Sequence, residues 1–313
     1  MANCPICQSG AEAEPLCKVN LGFAADYDLV ECPGCGVRRL DPLPGFDELS
    51  QFYASKDYGQ DWYKQRGLGM AFAKSLLRYK AAGRFLDVGC GQGFFLDGIR
   101  KHSDWQVQGT EFTPALADFA ARELGLDVRH GELSDVSFPE AHFDYIHISN
   151  VLEHVREPVG LLRECRRIIK PDGVLHLRVP NGSVDSLNLI KYFRSERRPA
   201  LSPSGHLFFF PRQTLLRMFE ESGFEVASSR TYGIRRGLRS LGLYPQKRNW
   251  KKSYLAGEPS RGRENGGPVL TAGKNRPDVY YRYRFLQFRL KMLPGMRGFG
   301  LDYLLLLRPK VND

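Results

Sequence analysis

Short apolar segments alternate with segments of helical periodicity along the middle of this chain of 313 residues. Each apolar segment has the length of one β-strand, and they occur at 84–88, 106–111, 126–130, 143–149, 173–179 and 224–230. Strands that alternate with helices predict a parallel sheet with helices on both faces. Because ligands of such sheets lie at the carboxyl ends of the strands, we expect the chemistry of the chain there.

Two stretches before the first of these strands have helical spacing of their apolar residues. One covers 46–53. The other covers 62–80, leads directly into the strand and has Ala71, Leu76 and Leu77 on its apolar side.

The first strand ends in a glycine-rich turn, LDVGCGQG at 86–93. Glycine in such a turn tolerates positive φ and lets a ligand approach the backbone closely, and the helix that follows points its N-terminal N–H groups at that ligand. A dinucleotide fingerprint beginning at Gly89 would need glycine at position 94, where this chain has Phe94. With Asp87 before the loop and Gly93 closing it, the turn suits a ligand that carries an amine better than one that carries a pyrophosphate.

This turn resembles the first motif of the class I S-adenosylmethionine (SAM)-dependent methyltransferases. The resemblance implies a Rossmann-like α/β fold with a seven-stranded sheet, parallel except for an antiparallel C-terminal hairpin. Residues 224–231 and 301–307 are the expected strands of that hairpin. The resemblance also implies SAM as the cofactor and methyl transfer as the activity.

Acidic residues follow the turn at the spacing that a nucleoside ligand needs. Glu111 ends the second strand about 20 residues further on, which places a carboxylate beside ribose hydroxyls; a solvated loop residue is the alternative. The resemblance implies that Asp87 contacts the cofactor's ammonium group, directly or through water. The stretch 131–139 resembles the family's G-D-A-x-D-x-x-F-P, so Glu132 would accept from the adenine amine and the N–H of Leu133 would reach a ring nitrogen. The expected cofactor residues together are Asp87, Gly89, Gly91, Gly93, Glu111, Phe112, Glu132, Leu133, Ser149, Asn150 and Tyr58.

Glu153 and His154 follow the fourth strand, and the family repeats this pair where the cofactor meets the acceptor, most familiarly in quinone and sugar O-methyltransferases. His154 is the candidate general base, because a histidine of near-neutral pKa can take a proton from a hydroxyl, with Glu153 orienting it or binding a metal. A helix-cap or packing pair is the alternative. Asn150 stands where related quinone enzymes carry an acid, which counts against a magnesium site. His206, in a segment similar to the family's G/E-H-L-x-x-F, is a second catalytic candidate or else a structural histidine.

Two C-x-x-C pairs lie near the start of the chain, formed by Cys4, Cys7, Cys32 and Cys35. Each pair can direct two thiolates at one ion, and four thiolates complete a closed, structural zinc site. Coincidental cysteines or a redox pair are the alternatives. With the D-P-x-P turn at 41–44 and the F-Y pair at 52–53, the arrangement is similar to a zinc-ribbon subgroup of the family. There the aromatic segment can cap the cofactor, which makes Tyr58 a lid candidate; packing at the domain junction is the alternative.

Composition describes an ordinary globular protein, with 42% hydrophobic and 26% charged residues. The start of the chain resembles no signal peptide, and the apolar run at 303–307 is far shorter than the roughly 20 residues of a membrane span. We therefore expect a cytoplasmic protein with reduced or metal-bound cysteines.

The net charge of +10 is concentrated near the end of the chain, where 231–313 contains 18 Lys and Arg against 5 Asp and Glu. Within it, 280–293 is an aromatic, basic, amphipathic helix candidate that suits an anionic membrane surface or a phosphorylated substrate. Nucleic acid is a further candidate partner. Packing on the sheet edge with a solvated basic face is the alternative. The sequence does not indicate the oligomeric state.

These patterns predict a chain of five parts. They are a zinc ribbon at 1–45, a helical linker and cofactor lid at 46–83, a SAM-binding core at 84–234, a basic insertion at 235–300, and a final strand with tail at 301–313. The expected function is SAM-dependent methyl transfer to a small-molecule or glycan-type acceptor at oxygen. An RNA methyltransferase with a zinc knuckle is one alternative, although no N-P-P-[YF] motif follows the fourth strand. A non-catalytic SAM-binding protein is the other.

Overall fold

The computed structural model of this chain describes residues 3–55, 62–194, 204–233 and 302–310. The strands are β1 (Glu14–Val19), β2 (Tyr27–Glu31), β3 (Arg38–Asp41), β4 (Arg84–Val88), β5 (Gln106–Glu111), β6 (Asp127–His130), β7 (Phe143–Ser149), β8 (Ile169–Pro180), β9 (Phe208–Phe209), β10 (Phe224–Tyr232) and β11 (Asp302–Pro309). The helices are α1 (Phe46–Ala54), α2 (Trp62–Tyr79), α3 (Phe94–Arg100), α4 (Pro114–Leu124), α5 (Pro158–Ile168), α6 (Gly182–Arg194) and α7 (Arg212–Glu221), with a 3₁₀ turn at Leu133–Asp135.

The larger sheet has seven strands in the order β10-β11-β8-β7-β4-β5-β6. The strands from β4 to β8 are parallel, whereas β11 runs antiparallel to both β8 and β10. The predicted α/β sheet with an antiparallel C-terminal hairpin is therefore confirmed. Because β5 and β7 lie on opposite sides of β4, the chain reverses direction across the sheet at β4, which opens a crevice at the carboxyl ends of β4 and β7.

The central strands β4 and β7 are buried on both faces. In β4, Phe85 lies on the face that α2 and α3 cover, and Leu86 lies on the face that α5 and α7 cover. Strands buried in this way read as continuous apolar runs, which is why their positions could be predicted from the sequence.

A smaller antiparallel sheet near the start of the chain has the order β1-β2-β3-β9. Its fourth strand comes from the core segment, with Arg39 opposite Phe208 and Arg38 opposite Phe209. The N–H of Leu40 also donates to the carbonyl oxygen of Leu207 (3.0 Å). The small sheet therefore takes its fourth strand from a segment that follows β8 in the chain.

The predicted helix at 62–80 is present, but its predicted apolar side is partly wrong. Leu76 is buried, whereas Leu77 is 50% exposed. The buried positions are Gly69, Ala73 and Leu76. Gly69 belongs to the buried side because α2 and α3 approach closely there, and a glycine contributes nothing to a hydrophobic pattern.

The basic insertion at 235–300 lies outside the described residues. None of the helices in the described ranges has both the length and the apolarity to cross a bilayer.

Backbone contact between α2 and α3 yields the first testable prediction. A Cβ atom on Gly69 would lie 2.0 Å from the carbonyl oxygen of Phe95, so Gly69→Ala must separate the two helices. We expect a loss of about 2–3 kcal/mol in the free energy of unfolding, measured with urea. Gly67 lies in the same helix, and a Cβ atom added there would meet nothing within 4 Å. Gly67→Ala should therefore raise the free energy of unfolding by up to about 1 kcal/mol. Equal effects of the two substitutions would contradict this packing.

Candidate active site

The glycine turn lies at the carboxyl end of β4, and its three alternate glycines all have positive φ: Gly89 (70°), Gly91 (57°) and Gly93 (78°). A Cβ atom on Gly91 would meet nothing within 4 Å, whereas one on Gly93 would lie 2.7 Å from the side chain of Leu126. Gly93 is therefore needed for packing, and the backbone at Gly91 borders open space that a ligand could occupy.

Glu111 fixes the conformation of this turn from the end of β5. Its carboxylate accepts from the N–H of Gly91 through Oε2 (2.8 Å) and from the N–H of Thr113 through Oε1 (2.9 Å). Each carboxylate oxygen has two lone-pair sites, so each keeps one for the hydroxyl of a ligand. Glu111 is buried at the end of β5, the position at which the sequence predicts a carboxylate beside a ribose.

Asp87 is buried beneath the same turn. Its Oδ1 atom lies 2.7 Å from Nδ1 of His147, which is on the neighbouring strand β7. His147 had no distinguishing signal in the sequence, since a single histidine in an apolar strand is typical of many structural positions.

The third predicted cofactor segment lies beside these two strand ends. The N–H of Gly131 donates to the carbonyl oxygen of Glu111 (2.9 Å), and Leu133 is buried in the 3₁₀ turn. Glu132 is half-buried. Burial, followed by the charge of Asp135, raises the pKa of Glu132.

Ser149 is the last residue of β7 and Asn150 follows it, next to the end of β4 where the glycine turn begins. Ser149 is half-buried, and Asn150 is exposed with a positive φ of 56°. The N–H of Asn150 donates to the carbonyl oxygen of Arg178 on β8 (2.9 Å). The lid candidate Tyr58 lies outside the described residues.

Glu153, His154 and His206 form one cluster in which a ligating atom of each residue lies within 4.8 Å of the others. Glu153 is 1% exposed, and within the described parts of the chain neither of its carboxylate oxygens accepts a hydrogen bond. Burial raises the pKa of Glu153 to about 7. The sequence singled out all three residues, and the structure brings together a pair and a histidine that lie far apart along the chain.

Both histidines of the cluster are held through Nδ1. The Nδ1 atom of His154 donates to the carbonyl oxygen of Gly205 (3.0 Å), and Nδ1 of His206 lies 2.8 Å from a carboxylate oxygen of Asp185 on α6. A carbonyl or carboxylate oxygen only accepts, so in the neutral ring the proton is on Nδ1 and the lone pair is on Nε2. The Nε2 atom of His154 lies 3.8 Å from Glu153. Such nitrogens can accept a proton or bind a cation.

Two residues that sequence reasoning did not assign to the site also contribute. Asp185 orients His206. The ring of Tyr53 on α1 contacts both Phe112 and His154 edge-on, with ring centroids 6.0 Å apart in each case. Tyr53 therefore connects the expected cofactor side of the site with its acceptor side.

The four cysteines of the two C-x-x-C pairs also converge, with their sulfur atoms within 4.8 Å of one another. The Sγ atoms of Cys4 and Cys35 are 3.9 Å apart, and those of Cys7 and Cys32 are 3.7 Å apart. Sulfur atoms bound tetrahedrally to zinc at about 2.3 Å lie about 3.8 Å from each other. The four thiols therefore have the number, chemistry and spacing that a structural zinc ion requires.

Comparison with known proteins relates this arrangement to one family. The family described as methyltransferase domain matches residues 63–229. A protein of Mycolicibacterium smegmatis named "probable S-adenosylmethionine-dependent methyltransferase" is 31% identical over 163 residues, which cover 51% of this chain and 59% of that protein. A ubiquinone biosynthesis O-methyltransferase of Actinobacillus pleuropneumoniae serotype 7 is 30% identical over 128 residues, covering 36% of this chain and 54% of that protein. The chain thus spans little more than half the length of these two relatives.

Among solved structures, the [4+2]-cyclase SpnF matches with a TM-score of 0.50 and 17% sequence identity. The match covers 87% of this chain and 99% of that one. At this identity the similarity is one of fold alone.

The raised pKa of Glu153 predicts how stability depends on pH. An acid whose pKa rises from 4.5 to about 7 on folding keeps its proton in the folded state, so stability falls as pH rises between these values. The neutral Glu153→Gln variant lacks this effect. Between pH 5 and pH 8, its free energy of unfolding should therefore rise relative to that of the wild type by about 2 kcal/mol.

Urea denaturation of both proteins in the same buffer measures this difference, without a chelator so that an ion on the four cysteines is retained in both. Glu123→Gln, at an exposed position of α4, is the control and should show no such trend. A constant difference between Glu153→Gln and wild type across this pH range would show that Glu153 ionises normally.

Proposed function

This chain belongs to the family of methyltransferase domains, and we propose that it transfers the methyl group of SAM to a hydroxyl oxygen of a small-molecule or glycan-type acceptor. One observation carries this proposal. Glu153 and His154 follow β7, the strand next to β4 with its glycine turn, and His206 joins them in one cluster. Groups able to take a proton thus lie beside a backbone turn that borders open space.

The strand-end residues supply the contacts that SAM would need. Glu111 would bind the ribose hydroxyls, Asp87 the ammonium group, and Glu132 with the N–H of Leu133 the adenine. Phe112, Gly89, Gly91, Gly93, Ser149, Asn150 and Tyr58 complete the proposed cofactor residues. When bound, SAM supplies an electrophilic methyl group on a positively charged sulfur. The protein's main contribution is then to hold the acceptor oxygen in line with the methyl group and the sulfur, because orienting the reactants removes much of the barrier to such a displacement.

His154 is the proposed general base. Its Nδ1 proton is engaged by the carbonyl oxygen of Gly205, so Nε2 can receive the proton of the acceptor hydroxyl. An ionised Glu153, with its nearer oxygen 3.8 Å from Nε2, would stabilise the imidazolium that results. His206, oriented by Asp185, is the second catalytic candidate on the same logic.

A metal in this cluster is the alternative role for Glu153. The three side chains offer three ligand atoms, while Asn150 stands where related quinone enzymes carry an acid, which counts against magnesium. A chelator would also remove zinc from the four cysteines, so the informative result is activity that is lost to a chelator and returns with Mg²⁺ or Mn²⁺, which thiolates bind poorly; this would favour a metal at Glu153 over proton transfer to His154.

We further propose that Cys4, Cys7, Cys32 and Cys35 hold a structural zinc ion and that the protein is cytoplasmic. The region 235–300 is proposed to contact an anionic membrane surface or a phosphorylated substrate through its positive charge. RNA is the alternative partner, and it would require RNA binding that weakens steeply with salt.

The ribose role of Glu111 can be tested by thermal unfolding with and without SAM. For the wild type we expect SAM at about 100 times its Kd to raise Tm by on the order of 5 °C. Glu111→Ala should lose this rise, because it removes the proposed ribose acceptor and releases the N–H of Gly91. Glu123→Ala, exposed on α4, should keep it. A full rise in Glu111→Ala would refute the assignment.

The general base can be tested by turnover, with a panel of hydroxylated small molecules and glycans as acceptors and isotopically labelled SAM. His154→Ala should lower kcat by about 10²–10⁴-fold and leave SAM affinity unchanged. His102→Ala, exposed after α3, is the control. Full activity of His154→Ala would refute His154 as the general base, and His206→Ala would then test the second candidate. Tight SAM binding by the wild type with no methylated product would favour the non-catalytic alternative.

A further inference from the structure

We propose that His147 is a positioning residue that fixes the carboxylate of Asp87 for the ammonium group at the amino-acid end of the cofactor. This inference rests on the proposed function, because it assumes a ligand of the SAM type. It adds a residue that neither the sequence motifs nor the comparisons assign.

The two residues face each other across neighbouring strands. Asp87 on β4 is paired in register with His147 on β7, and His147 is paired with His176 on β8. Their side chains project to the face covered by α2 and α3, where the ring of His147 contacts Phe72 and Phe95. A row of polar side chains thus crosses an otherwise apolar layer directly beneath the glycine turn.

The contact between them fixes one oxygen of Asp87. Nδ1 of His147 lies 2.7 Å from Oδ1 of Asp87, and since a carboxylate accepts, the proton is on Nδ1. Both residues are buried, at 8% and 5% exposure, so an isolated carboxylate here would carry a large desolvation cost. Within the described parts of the chain, Oδ2 of Asp87 makes no hydrogen bond, which leaves that oxygen for a donor from a ligand.

The ring of His147 has little freedom to turn away. Phe95, the second residue of α3, stacks on it with a centroid distance of 4.8 Å and an angle of 27°. Phe72 and His176 border it at 5.4 Å and 5.1 Å. Burial, followed by the proximity of His147 and Arg178, lowers the pKa of His176 well below its usual value, so His176 is a neutral neighbour.

Because His147 already holds the carboxylate of Asp87 in one conformation, less conformational entropy is lost when a ligand binds, and the ligand binds more tightly. The gain applies only to ligands that carry the ammonium group. S-adenosylhomocysteine carries it, whereas 5′-methylthioadenosine has the same nucleoside and sulfur without the amino-acid end. The ratio of their affinities therefore separates positioning of Asp87 from general support of the fold.

The experiment measures the Kd of both ligands by calorimetry for the wild type and His147→Leu. Loss of a hydrogen bond to a charged group predicts binding of S-adenosylhomocysteine about 10–100-fold weaker, with 5′-methylthioadenosine unchanged. His147→Asn, which keeps an N–H near the position of Nδ1, should restore most of the affinity. His176→Leu is the matched control in the same layer and should change neither Kd.

His147→Leu leaves the buried carboxylate of Asp87 without its partner, which can destabilise the fold. A double-mutant cycle separates that effect from the positioning of Asp87. In the Asp87→Asn background position 87 carries no charge, and His147→Leu should then have no further effect on the affinity for S-adenosylhomocysteine. If His147→Leu reduced the affinity for both ligands equally, or for neither, the positioning role would be overturned. A wild type that binds neither ligand would instead refute the proposed function.

Discussion

The burial of carboxylates at the ends of parallel strands is the constraint on which this structure depends. A buried carboxylate must be paired or lose its charge. Asp87 is paired with a histidine of the next strand, and Glu111 is satisfied by two backbone N–H groups. Neither carboxylate oxygen of Glu153 accepts a hydrogen bond within the described residues, and burial raises the pKa of Glu153 to about 7. The first two acids thus organise the turn and the strands, and the third is left able to change its protonation state.

The small sheet is connected to the cluster of Glu153, His154 and His206, because its last strand, β9, begins two residues after His206. Residues 207–209 bond to β3 on one side. On the other side, the N–H groups of Leu207 and Phe208 donate to the carbonyl oxygen of Glu153 (2.8 Å and 3.2 Å). The hydroxyl of Thr214 also donates to the carbonyl oxygen of Cys35 (2.6 Å). The cysteine-rich sheet therefore braces the backbone that presents Glu153 and His206, so its folding bears directly on the geometry of the cluster.

Much of this could be predicted from the sequence, for identifiable reasons. Core strands buried on both faces are apolar runs, and Glu111 lies at a fixed distance from a turn that needs its glycines. The rest depends on contacts between segments far apart in the chain. Phe208 and Phe209 complete a sheet begun at Glu14, Asp185 meets His206 from another helix, and Gly69 lies at a helix contact that no hydrophobic pattern marks. Such partners leave no periodic signal.

The geometry of the cluster also explains why its two adjacent residues act as a unit under the proposed function. Because Nδ1 of His154 is held by Gly205, only Nε2 can take a proton, and that nitrogen faces Glu153. Positive charge arriving on the ring is then stabilised by the carboxylate, while the charged ring favours ionisation of the buried acid. Each group makes the other's charged state less costly, so a proton can leave an acceptor hydroxyl without leaving an unpaired charge in the interior.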